Sequence, residues 1–209
     1  MMLYWLPLGA GGHCIARNGR IFEALTATYE RRTARDLYHS ALEVRLGDDR
    51  FVIEMTPVWA GPAADRGVVR VGPVGSRLLG RSAMFRYEVR RWRNGTIPDI
   101  REAVASPCRV SDDIERAQEV LNLVPLVPAL TWGRDESRTG EMWNSNSLTS
   151  WLLARSNHRM DAIAPPAHGR APGWDAGLVV AGHQAAVTGG RPRGQAYGQG
   201  CRSGPRWLS

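Results

Sequence analysis

From Tyr38 to Val44 the chain alternates strictly, and Leu46-Gly47-Asp48-Asp49 then turns it so that Arg50 to Met55 returns alongside. This hairpin constrains the fold more than any other stretch. Tyr38, Ser40, Leu42 and Val44 face one way, and His39, Ala41 and Glu43 face the other. Pro57 closes the second strand because it has no amide to continue the ladder. A hairpin of this kind requires an antiparallel sheet with at least one buried face.

Further strands are expected around it. Leu3 to Leu8 and His13 to Arg17 read as strands, and Asn18-Gly19 is a two-residue hairpin turn before Arg20 to Leu25. Val58 to Arg81 is rich in Gly, Pro and Ala and reads as a long excursion with one short strand, Gly67 to Val71. Alternation resumes from Ala83 to Trp92, with Phe85, Tyr87 and Val89 opposite Arg86, Glu88 and Arg90, and Asn94-Gly95 ends it.

The second half is helical in pattern. Ser111 is the expected N-cap of a helix running to about Leu123, with Ile114, Ala117, Leu121 and Val124 on one face. Pro125 and Pro128 break the chain. A second helix is expected from Ser147 to Arg155 with Leu148, Trp151 and Leu152 buried, and Gly177 to Ala181 reads as a last strand. The class is α+β: an antiparallel sheet packed by two or more helices, in one domain over residues 1–184. Residues 185–209, where composition collapses to Gly, Arg, Pro, Gln and Ser from Gly189 on, form an expected disordered tail.

Composition narrows the function classes. All 27 basic residues are Arg, a pattern of coding bias before one of recognition, and four Arg of the +7 net charge sit in the acid-free tail. That tail lacks aromatic interleaving beyond Tyr197 and Trp207, so nucleic acid is not the expected partner. No run reaches the roughly 18 apolar residues of a membrane span, and the N-terminus reads as a strand and not a signal. A cytoplasmic location is the expectation. Cys14, Cys108 and Cys201 suggest no disulfide framework and suit a reducing compartment. The five histidines show no ligand spacing, so neither a metal nor a cofactor is expected.

Two segments carry chemistry. His39 lies on the polar face of its strand, where Glu43 or Glu54 could orient the imidazole for general-base work or a structural hydrogen bond. Trp143-Asn144-Ser145-Asn146-Ser147-Leu148 opens an apolar helix. Helix N-termini stabilise oxyanions and activate nucleophiles, and Asn and Ser are also the favoured capping residues there. Gly9-Ala10-Gly11-Gly12 lacks the spacing of a phosphate loop, and Gly72 to Arg77 reads as a plain turn. Asp48-Asp49, Asp112-Asp113 and Asp135-Glu136 read as solvated or capping pairs.

Together, Tyr38 to Val44 with its partner ending at Ile53-Glu54, followed by Asn146-Ser147-Leu148-Thr149-Ser150-Trp151, resemble the permuted papain-like group. That group contains PPPDE peptidases, lecithin:retinol acyltransferase-like enzymes and permuted relatives of NlpC-type amidases, and the helix start also resembles the Asn-Ser-Asn-Ser/Thr start of some uncharacterised bacterial members. The resemblance covers roughly residues 38–155. It implies an amide- or ester-directed hydrolase or acyltransferase, with His39 as base, Ser147 at the nucleophile position, and Asn144 and Asn146 shaping the turn or donating to an oxyanion. The group's helix begins with Asn-Cys, and here a hydroxyl stands where the thiol is expected. Two readings follow: a serine variant, or a degenerate site whose fold serves binding or protein interaction. The sequence names no ligand and no oligomeric state.

Overall fold

The computed structural model describes residues 1–8, 33, 35–58, 66–97 and 99–187. The expected hairpin is its centre. Strand β2 (Asp36–Leu46) pairs antiparallel with β3 (Asp49–Pro57), Leu42 opposite Ile53, around Gly47 at φ +59°. Strand β1 (Met2–Pro7) lies on the other edge of β2, placing Leu3 opposite Leu42 and Leu6 opposite His39. Beyond β3 come β5 (Arg86–Arg93) and the edge strand β4 (Val68–Pro73). The two-residue β6 (Cys108–Arg109) closes the β1 side, giving the order β4-β5-β3-β2-β1-β6; β7 (Gly169–Arg170) pairs in parallel with the start of β2.

Helices α1 (Ile114–Leu123), α2 (Ser145–Arg155) and α3 (Trp174–Val187) complete the α+β architecture. The main core lies between one sheet face, carrying Trp5, Leu42, Ile53 and Val89, and the helices, carrying Val120, Leu148, Trp151 and Leu152. Burial of these side chains is the main source of stability, each worth about 1.5–3 kcal/mol. No helix among the described residues is long and apolar enough to cross a membrane.

The opposite sheet face is also largely buried, which alternation alone did not require. A small cluster of Tyr4, Leu6, Ala41, Val52 and Ile97 occupies one end. At the other, Arg90 donates to Glu54 (Nη1 to Oε1, 2.9 Å) and to Glu88 (Nε to Oε1, 2.6 Å). All three are buried, and Arg66, 3.7 Å from Glu88, supplies the second positive charge that balances the two carboxylates.

Several expectations are corrected. Helix α1 is capped by Asp113, whose carboxylate accepts from Glu115 N at 2.9 Å and Arg116 N at 3.2 Å, and Ser111 accepts from Asp113 N instead. Ile114, expected in the core, is 67% exposed because it occupies the first position after that shifted cap. Residues 83–85 form a 3-10 turn, so the strand begins at Arg86. Helix α2 starts two residues early, at Ser145. Gly177 to Ala181 lie inside α3 and not in a strand: a short apolar run fits either state, and packing decides. A Cβ on Gly177 would press into Ser150 Oγ and the Ser147 carbonyl, so the glycine permits α3 to lie directly on α2. Cys108 is disulfide-bonded, a state the odd cysteine count did not suggest. Helix α3 runs past the expected boundary to Val187. The strands expected over His13–Arg17 and Arg20–Leu25, the glycines at 9–12 and the tail from 188 lie outside the described residues.

Candidate functional site

Asn144 opens α2. Its Oδ1 accepts from Asn146 N (2.9 Å) and Ser147 N (3.3 Å), while Ser147 Oγ accepts from Asn144 N (3.1 Å), a reciprocal capping box. Asn144 Nδ2 donates to the Pro172 carbonyl at 2.8 Å. Asn146 Nδ2 donates to the carbonyls of Tyr38 and Pro172, both at 2.9 Å. The helix start is therefore stitched to β2 and to the turn before α3. Gly173, at φ +87°, lets that turn approach, since a Cβ there would collide with Asn144 and the Met142 carbonyl.

Ser147 is 0% exposed, and its hydroxyl donates to the Gly173 carbonyl at 2.7 Å. A hydroxyl with its proton so committed, inside a capping box, is a structural group. His39 lies on the other side of the sheet. It shares the face of Ala41 and of its partner Leu6, which pack near Ile97, whereas Ser147 lies in the helix layer. The structure does not bring His39 and Ser147 side chains together.

The proposed orienting carboxylates are engaged elsewhere. Glu43 accepts from Arg45 Nε (2.9 Å) and Arg50 Nη1 (3.3 Å), and Glu54 from Arg90. Among the described residues neither is hydrogen-bonded to His39. Burial lowers the His39 pKa to about 4, opposed by the negative charge of Asp99, so the imidazole is neutral at pH 7. Burial raises the Glu54 carboxyl above the usual range, against the pull of Arg90.

A cavity of about 170 Å³ lies at the N-terminus of α2. Leu37, Tyr38 and His39 border it in succession, which places it at the edge of β2 near the strand end and not over one face. Trp132, Met142 and Pro172 supply further apolar wall, and Ser145 and Asn146 its polar end. The helix start thus presents Ser145, not Ser147, to the cavity. Sequence reasoning missed Ser145 because Asn144 and Asn146 both precede the apolar run and are equally good caps locally, so the pattern alone does not decide where the helix begins.

One serine–histidine contact does form, elsewhere. Ser156 Oγ lies 2.8 Å from His158 Nδ1 at the end of α2. The hydroxyl donates to the Leu152 carbonyl at 2.7 Å, so it accepts from Nδ1–H, the reverse of nucleophile activation. Burial lowers the His158 pKa to about 4. Among the described residues no group of three His, Cys, Asp or Glu side chains is placed to hold a metal ion. No family model matches the chain, and neither does any curated protein or solved structure.

Proposed function

We propose that the protein binds a small ligand in the cavity at the N-terminus of α2, on a fold of permuted papain-like type whose hydrolytic chemistry is degenerate. The order of elements, histidine strand first and Asn-Ser helix second, supports the fold assignment. The observation that carries the functional reading is the commitment of the Ser147 hydroxyl to the Gly173 carbonyl (2.7 Å), which leaves the expected nucleophile without a base. A fluorophosphonate probe should leave the wild-type protein unlabelled.

One observation favours a second reading, serine hydrolase or acyl transfer. Ser145 borders the same cavity as His39, at a helix N-terminus suited to an oxyanion. In that case the probe labels the wild type, labelling disappears in Ser145→Ala and persists in Ser147→Ala. That pattern would replace the binding reading.

A further inference from the structure

Between Gly67 and Tyr87 the chain carries four arginines, Arg70, Arg77, Arg81 and Arg86, and no acidic residue. The same stretch holds more than half of the large apolar side chains that the described residues leave in water. Leu78 is 74% and Met84 80% exposed, and Val68, Val71, Leu79 and Phe85 are exposed with them. Single exposed apolar side chains are ordinary on any protein surface. Their concentration in one short stretch marks a surface that meets something else.

The loop that displays them is tied down. After β4, 3-10 turns at Leu79–Arg81 and Ala83–Phe85 pack against each other, and the first also packs on β4. A Cβ on Gly80 would lie 2.6 Å from the Pro73 Cβ, so the missing side chain lets the loop sit on the strand end. Arg86 donates from Nε to the Gly80 carbonyl (2.6 Å) and from Nη2 to the Arg81 carbonyl (3.3 Å). Beside the loop, Asp135 accepts from the amides of Thr139 and Gly140, and Glu136 accepts from Arg77 and Thr131. Those two carboxylates are thus satisfied, whereas Arg70 and Arg81 have no hydrogen-bond or ion-pair partner among the described residues.

From this pairing of apolar side chains with uncommitted positive charge we infer that the loop docks on an anionic lipid bilayer, Leu78 and Met84 entering the acyl boundary and Arg70 and Arg81 meeting headgroup phosphates. The inference is independent of the cavity. The protein would lie on the bilayer, which needs no spanning helix. Charge complementarity selects the occupant, and two features argue against a second copy. Edge strand β4 would be the pairing element, and a symmetric antiparallel pair centred on it sets Arg70 beside its own copy. Its last residue is already engaged, since Trp132 N donates to the Pro73 carbonyl at 2.9 Å. A protein partner would need a pocket shaped for each projecting side chain, whereas fluid acyl chains accept them without one.

Flotation of the full chain with vesicles of phosphatidylcholine alone, and of phosphatidylcholine mixed with phosphatidylglycerol, tests this. The chain should float with the anionic vesicles and stay behind with the neutral ones. Arg70→Gln/Arg81→Gln should weaken binding about 25-fold, about fivefold for each arginine. Leu78→Ser/Met84→Ser should weaken it at least about tenfold. All four side chains are exposed, so both variants should keep the wild-type thermal transition. Binding unchanged in Leu78→Ser/Met84→Ser would assign it to other basic residues, those of the tail included, and sink the inference. Failure to float, or equal flotation with both kinds of vesicle, would do the same. Should vesicles stay unbound while polyglutamate binds, or while the chain dimerises, and Leu78→Ser/Met84→Ser abolish that association, the occupant is a polypeptide and the bilayer assignment is wrong.

Discussion

His39 and His158 are held neutral by the same cause, loss of water around the ring, and both bind their proton only near pH 4. In the unfolded chain an imidazole binds it near 6.5. The unfolded state therefore holds more protons between these values, so the stability these residues contribute is complete above pH 6.5 and is lost as pH falls toward 4. Thermal melts should show a falling transition temperature over that window, and a His39→Leu/His158→Met protein should show a flatter profile. The two candidate serines divide just as sharply. Ser147→Ala should cost about 1–2 kcal/mol in urea denaturation through loss of the capping box. Ser145→Ala, whose hydroxyl has no partner among the described residues, should stay within about 0.5 kcal/mol.

Contact between α2 and α3 depends on Gly177. Alanine there gains about 1 kcal/mol of helix propensity but forces its methyl against Ser150 and the Ser147 carbonyl, backbone that cannot turn aside. The net should be a loss of about 2 kcal/mol or more, measured by denaturation. This helix was also the element least legible in the sequence. Strands β2, β3 and β5 were readable because the face away from the helices carries polar residues such as Glu43, Glu54, Glu88 and Arg90, leaving a period of two, whereas β1 is apolar on both faces and was legible only as a short apolar run. Gly177 to Ala181 carries no period, since α3 is apolar on several sides, and nothing local separates it from a strand. The site divided in the same manner. His39, Asn144 and Asn146 stood out through local pattern, and Asn144, Asn146 and the His39 edge do meet around one cavity. Met142 directly precedes the cap, whereas the contribution of Trp132 and Pro172 depends on loops folding back onto the helix start. The two-residue shift from Ser147 to Ser145 came from the cap, which tertiary contacts to Pro172 and Gly173 select.

At the scale of the molecule, the sheet is buried on both sides by different means, hydrocarbon against the helices and neutralised charge opposite. The charged side is the fragile one. Arg90→Met should cost about 3–5 kcal/mol, because it strands Glu54 without a counter-charge and leaves Glu88 only Arg66 at 3.7 Å, whereas Arg90→Met with Glu54→Gln should recover most of that loss. Chemical denaturation of the two proteins checks it. The tie from Asn146 to Tyr38 and Pro172 joins sheet, helix and turn, and it also governs how the protein ages. Deamidation of an Asn-Ser pair needs the serine nitrogen to attack the asparagine side chain. Here the Ser147 amide is bound in the helix cap and the Asn146 amide nitrogen is held by two carbonyls. Folded molecules are thus protected, while each unfolded one is exposed to conversion. Once converted, an ionised aspartate facing the Tyr38 and Pro172 carbonyls has no proton to donate to them, so conversion in an unfolded chain should leave the refolded junction without these two hydrogen bonds.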